Sequence, residues 1–392
     1  MKNAKHIVKT VLFCGALAAF SAISVFSPKE KSSFYENRWL AVFPVPSAET
    51  VFDGTFFSDV ETYISDHFAG RVPLLRLNVR KEFALHDPVI SDTVIAGDTL
   101  LPYHGRPLPD YDHEAMQTEL DTLATVNEAC EAIGAKFVYL AMPEQSSALR
   151  YKYPSYLNPS AYADDSIRTD FLDGLDEREI DCLNMAEYLC TEPEKYYSKT
   201  DHHYNFYGAY ETYLRTMEHL RALGVDAPVT TDVTMEPIDR PFLGSRSRKL
   251  LGEYPTEDKL YRFTLGTPVP FTRADNGKPV ESAVVNENFN NVYNYYMGGD
   301  IGETVIKTNR PGLPRVLVVG DSFTNALESI LYTSCDEMRS LDYRHYSGAN
   351  ILEYIAAYQP AVVLYVRDDL VYTVLEGNGT MGLQEQEIEA DS

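Results

Sequence analysis

Two short segments carry residues that could act on one another. Val316-Leu317-Val318-Val319 runs directly into Gly320-Asp321-Ser322-Phe323. Four apolar, mostly β-branched residues predict a buried strand, and Gly-Asp-Ser predicts a tight turn into a helix. A serine in that turn sits at a strand's carboxyl end, where backbone N–H groups can receive an oxyanion. Gly320 and Asp321 are the candidate oxyanion or cleft residues. Alone, the pattern is equally that of a strand-turn-helix with an incidental serine. Asp321 has an ordinary use as well, a hydrogen bond inside its own turn.

Thr200-Asp201-His202-His203-Tyr204-Asn205 supplies what such a serine lacks. A serine nucleophile needs a base to take its proton, and the base needs an orienter that fixes its tautomer. If the segment is extended, Asp201 and His203 project to the same side and His202 points away. Asp201 then orients His203, and His203 faces Ser322. A tightly turned loop would make His202 the alternative base. Helix capping is the other use of Asp201, although Asn205 fits the N-cap of a helix starting near 206 better. Adjacent histidines on extended backbone are poorly placed to share one ion, and no Cys/His metal spacing occurs. Neither a metal nor a cofactor is expected.

The elements that must position these residues read as a layered α/β domain. Met116, Leu120, Leu123, Cys130 and Ile133 predict a helix stopped at Gly134, and Lys136–Ala141 predicts the strand after it. Tyr207, Tyr210, Leu214, Met217 and Leu220 form one face of a second helix, ended by Gly224. The order returns to strand (315–319), helix (323–332), helix (348–358) and strand (361–366). Helix-strand alternation predicts a mostly parallel sheet, whose functional residues collect at strand carboxyl ends. Glu144, Gln145, Ser146, Arg367 and Asp368 fall at such ends, where any could line the cleft, although a solvated loop position is the commoner use of each. Residues 225–310, rich in Pro, Gly, Thr and Tyr, predict a β-rich insertion. Upstream, Phe57–Phe68 and Leu74–Leu85 are amphipathic, and Thr93–Pro102 predicts a hairpin around Gly97-Asp98.

Composition bounds the rest. The 392 residues carry a formal charge of −24, which repels phosphate backbones and argues against nucleic-acid binding. Twenty-eight tyrosines against one tryptophan suit either a sugar-stacking cleft or an aromatic core, and the core is the commoner use. Lys2, Lys5 and Lys9 precede an apolar run from Thr10 to Phe26, the pattern of an exported chain. Residues 1–28 fit a cleavable signal or a membrane anchor, with the bulk outside. Residues 29–375 are then the main domain, and the acidic segment 376–392 a disordered tail. Cys182 and Cys190 are the nearest pair for a disulfide, with isolated buried thiols the alternative.

Gly320-Asp321-Ser322-Phe323 resembles the first block of SGNH (GDSL-type) hydrolases, and Thr200-Asp201-His202-His203 resembles their Asp/His block. In ordinary members the serine comes first. Here Asp-x-His precedes it by about 120 residues, as in the permuted SGNH-like domains of the alginate acetyltransferase type. More closely, the chain resembles the bacterial DHHW family. The segments are Glu36-Asn37-Arg38 with Phe43-Pro44, Asp53-Gly54-Thr55-Phe56, Asp201-His202-His203, Tyr296-Met297-Gly298-Gly299 and Gly320-Asp321-Ser322-Phe323. The resemblance implies an SGNH-hydrolase-like layered domain that handles O-acetyl groups on a cell-surface polysaccharide outside the cell. It implies Ser322 as nucleophile, His203 as base and Asp201 as orienter, with acetyl drawn from a membrane acetyl-donor protein. Transfer to a sugar and hydrolysis by water are both open to that triad. A carbohydrate-binding or assembly protein on the same scaffold is the alternative, and a lipid or peptide esterase a third. Two positions depart from the family pattern. Tyr204 stands where a Trp is usual, and Pro143-Glu144-Gln145 where Pro-x-Lys is common, which puts a basic substrate contact in doubt.

Overall fold

The computed structural model describes residues 2–103, 111–157, 166–289 and 292–383. The chain forms two compact units, one of Met1–Thr93 with Ser247–Pro255, the other of Val94–Arg246 with Thr256–Ser392.

The larger unit is built on an eight-stranded sheet. Its strands are β1 (Lys136–Met142), β2 (Cys182–Asn184), β3 (Thr272–Asp275), β4 (Lys278–Val280), β5 (Glu303–Lys307), β6 (Arg315–Gly320), β7 (Glu337–Leu341) and β8 (Val362–Asp368). The spatial order is β4-β3-β5-β7-β6-β8-β1-β2. The five strands from β7 to β2 are parallel, and β5, β3 and β4 extend the sheet antiparallel. The inner strands are buried nearly throughout, which is why β6 and β8 read as unbroken apolar runs rather than alternating ones. Register aligns their carboxyl ends: Gly320 lies opposite Val366, and Asp368 opposite Met142. The ends of β6, β8 and β1 therefore form one edge.

Helices cover both faces. His113–Ala132 sends Met116, Leu120, Leu123, Val126 and Cys130 into a core with Phe137, Tyr139, Val363 and Tyr365. Ile351–Tyr358 joins the same core. Phe206–Ala222 begins at Asn205, whose side chain accepts the Tyr207 and Gly208 N–H groups, and packs on Asn325–Leu331. The tyrosines are largely core material: Tyr139, Tyr204, Tyr213, Tyr295, Tyr296, Tyr365 and Tyr372 are fully buried. The hairpin at Thr93–Ala96 and Thr99–Pro102 turns at Gly97, φ 66°.

Several expectations are modified. Within 225–310, Val233–Pro237 pairs with Tyr261–Leu265, whereas β3, β4 and β5 extend the main sheet. Strands β2 and β7 escape sequence reading: one is three residues long, and the other, Glu-Met-Arg-Ser-Leu, interleaves charges. Of the segment 376–392, the first part is packed. Asn378 Oδ1 accepts the Tyr343 N–H at 2.7 Å, the Asn378 carbonyl accepts Tyr365 Oη–H at 2.6 Å, and Met381 is buried. Residues 384–392 lie outside the described residues. No disulfide joins Cys182 to Cys190. Burial instead pushes the Cys182 thiol up to about 12.

The smaller unit carries helices α1 (Lys2–Phe26), α2 (Ala48–Phe52), α3 (Thr55–His67) and α4 (Arg71–Ala84). Within α1, His6–Phe26 is long and apolar enough to cross a membrane, and none of it is buried against protein. Such a helix fits a signal or an anchor. Arg38 ties the segment after it to α3, giving Asp66 two hydrogen bonds at 2.6 and 2.9 Å, while the Ala41 N–H gives a third at 2.9 Å. The Arg38 guanidinium holds the Asp66 carboxyl down at about 2. Glu36 receives Arg71 in bidentate fashion, both contacts at 2.8 Å.

Candidate active site

Ser322 follows β6 directly, and Asp321 builds its turn. Asp321 Oδ1 accepts the Phe323 N–H, and its carbonyl accepts both the N–H and Oγ1–H of Thr324, each at 2.9 Å. Gly320 permits a close approach. A Cβ there would lie 2.5 Å from the Val366 carbonyl oxygen and 2.7 Å from Thr324 Cγ2. Both residues thus have structural work in the turn, and the Phe323 N–H is already given away.

The Asp-His segment loops between Tyr197 and Tyr204, which form an isolated antiparallel bridge. It is not the extended stretch expected from the sequence but a run of bends. Asp201 is the cause: its Oδ1 accepts the His203 N–H at 3.1 Å, closing an Asx turn. Thr200 is pinned beside it, giving its N–H and Oγ1–H to Asp258 Oδ2, both at 2.8 Å. Burial pushes the Asp258 carboxyl up, and the bonds from Thr200 oppose that rise.

Although the loop is turned, His203 rather than His202 meets the serine. His203 Nε2 lies 2.7 Å from Ser322 Oγ, and its Nδ1 lies 2.5 Å from Asp201 Oδ1. His202 does not point away as expected. Its ring centroid is 3.7 Å from that of His203, and its Nδ1 is 2.8 Å from Ser245 Oγ. Asp201, His202 and His203 offer ligand atoms within 4.8 Å of one another. The nitrogens of His203 are, however, engaged by Asp201 and Ser322, and Nδ1 of His202 by Ser245. Burial works against charge on Asp201. The charges of His203 and His202, the His203 hydrogen bond and the Ser245 N–H overcome it and hold the carboxyl well below the usual carboxylate range.

Two further segments complete the site, and neither stood out as chemistry in the sequence. Gly244-Ser245-Arg246 backs the Asp201 loop. The Ser245 N–H donates to Asp201 Oδ2 at 2.7 Å, and the Arg246 N–H to the Thr200 carbonyl at 3.0 Å. Gly244 passes so near that a Cβ would lie 2.3 Å from the Thr200 oxygen. Arg246 turns inward onto Glu144 and Gln145, donating to Gln145 Oε1 at 2.8 Å. A buried cation therefore lies where Pro-Glu-Gln replaces Pro-x-Lys, but it comes from another segment and is already paired. The second segment is 293–300. Tyr293 stacks on His203 with centroids 3.8 Å apart and planes 1° from parallel. Asp300 Oδ1 accepts from Asn325 Nδ2 at 3.1 Å, just beyond the serine turn. Tyr296-Met297-Gly298-Gly299 within the second segment carries the family resemblance, but nothing local in either segment foretells these contacts.

Tyr204 links the two halves of the site. Its hydroxyl donates to the Phe323 carbonyl, and its ring meets Phe323 edge-on at 5.7 Å. An aromatic ring with a donor at its tip serves there, as Trp would. The acids and polar groups at the strand ends are buried, not solvated. Glu144, Gln145, Ser146, Arg367 and Asp368 are all at most 5 % exposed. Arg367 pairs with buried Glu119 at 2.7 Å. Burial, with Asp321, Asp369 and Glu144 nearby, pushes the Asp368 carboxyl well up.

Comparison with known proteins agrees with this architecture. The family model for DHHW proteins matches residues 36–122. The model described as the SGNH hydrolase-like domain of the acetyltransferase AlgX matches residues 103–249, which include Asp201 and His203 but stop short of Ser322. No curated protein sequence matches the chain. Among solved structures, Bacillus cereus PatB1 with a sulfonyl adduct is 20 % identical at a TM-score of 0.60, covering 71 % of this chain and 95 % of PatB1. A DHHW family protein from Eubacterium siraeum is 18 % identical at a TM-score of 0.52, covering 73 % of this chain and 95 % of its own. At such identities the likeness is one of fold: an SGNH-hydrolase-like α/β layer, in a chain that matches the DHHW family model near its start and the AlgX domain model after it.

Proposed function

We propose that the protein is an extracytoplasmic, serine-dependent enzyme that moves O-acetyl groups on a cell-surface polysaccharide. The observation that carries this is the unbroken chain Asp201–His203–Ser322, with links of 2.5 and 2.7 Å, at the carboxyl edge of a parallel sheet. Asp201 accepts Nδ1–H and so leaves Nε2 as the acceptor for the serine proton. Ser322 Oγ attacks the acetyl carbonyl while His203 Nε2 takes its proton. Backbone N–H groups of the Gly320–Ser322 turn receive the oxyanion. Collapse breaks the bond to the donor oxygen, which leaves with the proton from His203. An acceptor hydroxyl then gives its proton to Nε2 and attacks the acetyl-serine. Its acetyl ester departs, and the proton returns to Ser322.

The acetyltransferase match around Asp201 and His203 favours a sugar acceptor over water. The apolar α1 favours a tethered chain with its bulk outside, fed by a membrane acetyl donor. The test uses a sulfonyl fluoride and a chromogenic acetyl ester. Wild type is expected to gain one sulfonyl group on Ser322 by mass spectrometry and to release the chromophore, and Ser322→Ala to do neither. Ester turnover undiminished in Ser322→Ala would sink the serine mechanism. A wild-type protein inert to both reagents would favour a binding or assembly role on the same scaffold.

A further inference from the structure

Helices α3 and α4 leave most of their apolar surface uncovered. The only buried residue of α3 is Asp66, and that of α4 is Val79. Along α3, Phe56, Phe57, Val60, Tyr63 and Ile64 recur at the spacing of one helix face, opposite Ser58, Asp59, Glu61, Thr62 and Ser65. On that face Phe57 and Ile64 are 61 and 59 % exposed while Phe56, Val60 and Tyr63 are half-buried, and in the preceding segment Trp39, Val42 and Phe52 are 78, 86 and 91 % exposed. Apolar exposure concentrated in this way marks an interaction surface.

What the carboxyl end of α3 and the two residues after it touch indicates the occupant. The rings of Phe20 and Phe68 lie 6.1 Å apart, Ser24 Oγ accepts the Ala69 N–H at 2.9 Å, and Lys29 Nζ donates to the His67 carbonyl at 3.3 Å. Phe20 and Ser24 belong to the apolar stretch His6–Phe26. Phe20 precedes the end of that stretch by roughly 9 Å of helix rise. A helix seated there on a spanning helix lies at the boundary of headgroups and acyl chains, the depth at which amphipathic helices settle. Charge is partitioned accordingly. Leaving out Lys2, Lys5 and Lys9 at the far end of α1, this unit holds nine Lys and Arg against eleven Asp and Glu, close to neutral, whereas the other unit carries a formal −25. The single tryptophan, Trp39, follows Arg38, and Lys29 and Lys31 come just after the apolar stretch, the residue types that favour a membrane interface.

We propose that α3 and the Trp39–Phe52 segment form an interfacial platform that lies in the bilayer surface beside α1. The inference rests on reading α1 as an uncleaved anchor. The polar face of α3 carries Asp59 and Glu61, so apolar burial drives the contact and a zwitterionic surface suffices. Tethering by α1 supplies the effective concentration that a short helix lacks by itself.

Trp39 permits a direct test in the full chain, reconstituted into phosphatidylcholine vesicles whose acyl chains carry bromine near the headgroup or at mid-bilayer. Trp39 emission is expected to be lost more with shallow bromines than with deep ones. Ile64→Trp in a Trp39→Phe background should behave alike, and Phe20→Trp in that background reads the anchor. If the Phe20→Trp reporter is quenched while Trp39 and the Ile64→Trp reporter are untouched, the platform is overturned and the anchor stands. If the Phe20→Trp reporter is not quenched either, the anchor reading fails and the platform with it. Blue-shifted Trp39 emission without quenching by lipid would mean a protein cover, and would overturn the proposal.

Discussion

In the proposed mechanism His203 takes a proton and gives it back, and its neighbours bear on both steps. Replacing His203 by Ala removes the base and should lower kcat/KM by about 10³-fold or more. Replacing His202 by Ala leaves the Ser322–His203–Asp201 line in place and should cost less than about 10-fold, since His202 contacts Ser245 and not the serine. Steady-state kinetics on an acetyl ester separates the two. Equal losses would mean that both imidazoles share the proton. Tyr293 makes a subtler prediction. Its ring lies flat on His203 and is best placed to help when the imidazole is charged. Tyr293→Leu should therefore lower kcat by about 3- to 30-fold with little change in KM, and Tyr293→Phe should keep most of the activity. At this scale the sequence disclosed the residues that stand in a motif. Asp201, His203 and Ser322 were legible because nucleophile, base and orienter are a recognisable set. Tyr293 and Ser245 were not, because a tyrosine among many and a serine in a loop acquire their roles only from contacts across the chain.

Elements hold these residues through close backbone approaches. Gly244 lets its segment lie against the Thr200–Asp201 peptide. Gly244→Ala would place a Cβ 2.3 Å from the Thr200 oxygen and 2.7 Å from the Asp201 nitrogen. The loop must shift, and a displacement near 1 Å at Asp201 should lower kcat/KM by about 10²-fold. Serine labelling should slow in parallel, whereas a Gly224→Ala control far from the loop should leave the labelling rate alone. In the smaller unit, the Arg38–Asp66 pair makes a pH-dependent contribution. Asp66 is held at about 2, below its value in the unfolded chain. Its stabilisation is therefore complete above about pH 4 and fades as pH falls toward 2. Because Arg38 is partly exposed, the contribution is on the order of 1 kcal/mol. Arg38→Ala should lower the melting temperature of the unit at pH 7, and the difference from wild type should shrink between pH 4 and pH 2. The long helices and the apolar strands β1, β6 and β8 were legible from their periodicity. The bend at 200–204 was not, because an Asx turn depends on where one carboxylate points.

The whole molecule carries its charge unevenly, and that bears on the acceptor. With a formal −25 on the larger unit, an anionic polysaccharide must approach against repulsion. For such an acceptor KM should fall as ionic strength rises from about 10 to about 150 mM, where the screening length shortens from about 30 to about 8 Å. For a neutral acceptor KM should barely move, so a salt titration with each class reports which one the cleft is suited to. The return of the chain from the edge strands to the centre of the sheet was foreseen as an α/β domain with an excursion. That three excursion strands would extend the sheet itself was hidden, since pairing between distant strands leaves no local mark. The same topology has a consequence in time. Strand β1 is made well before its inner neighbour β8, and β6 with Ser322 only shortly before β8. A chain emerging from its amino end holds Asp201 and His203, the proposed orienter and base, long before it holds Ser322 or the strand that pairs with the inner edge of β1. Fragments ending anywhere before residue 322 therefore carry no reactive serine at the site.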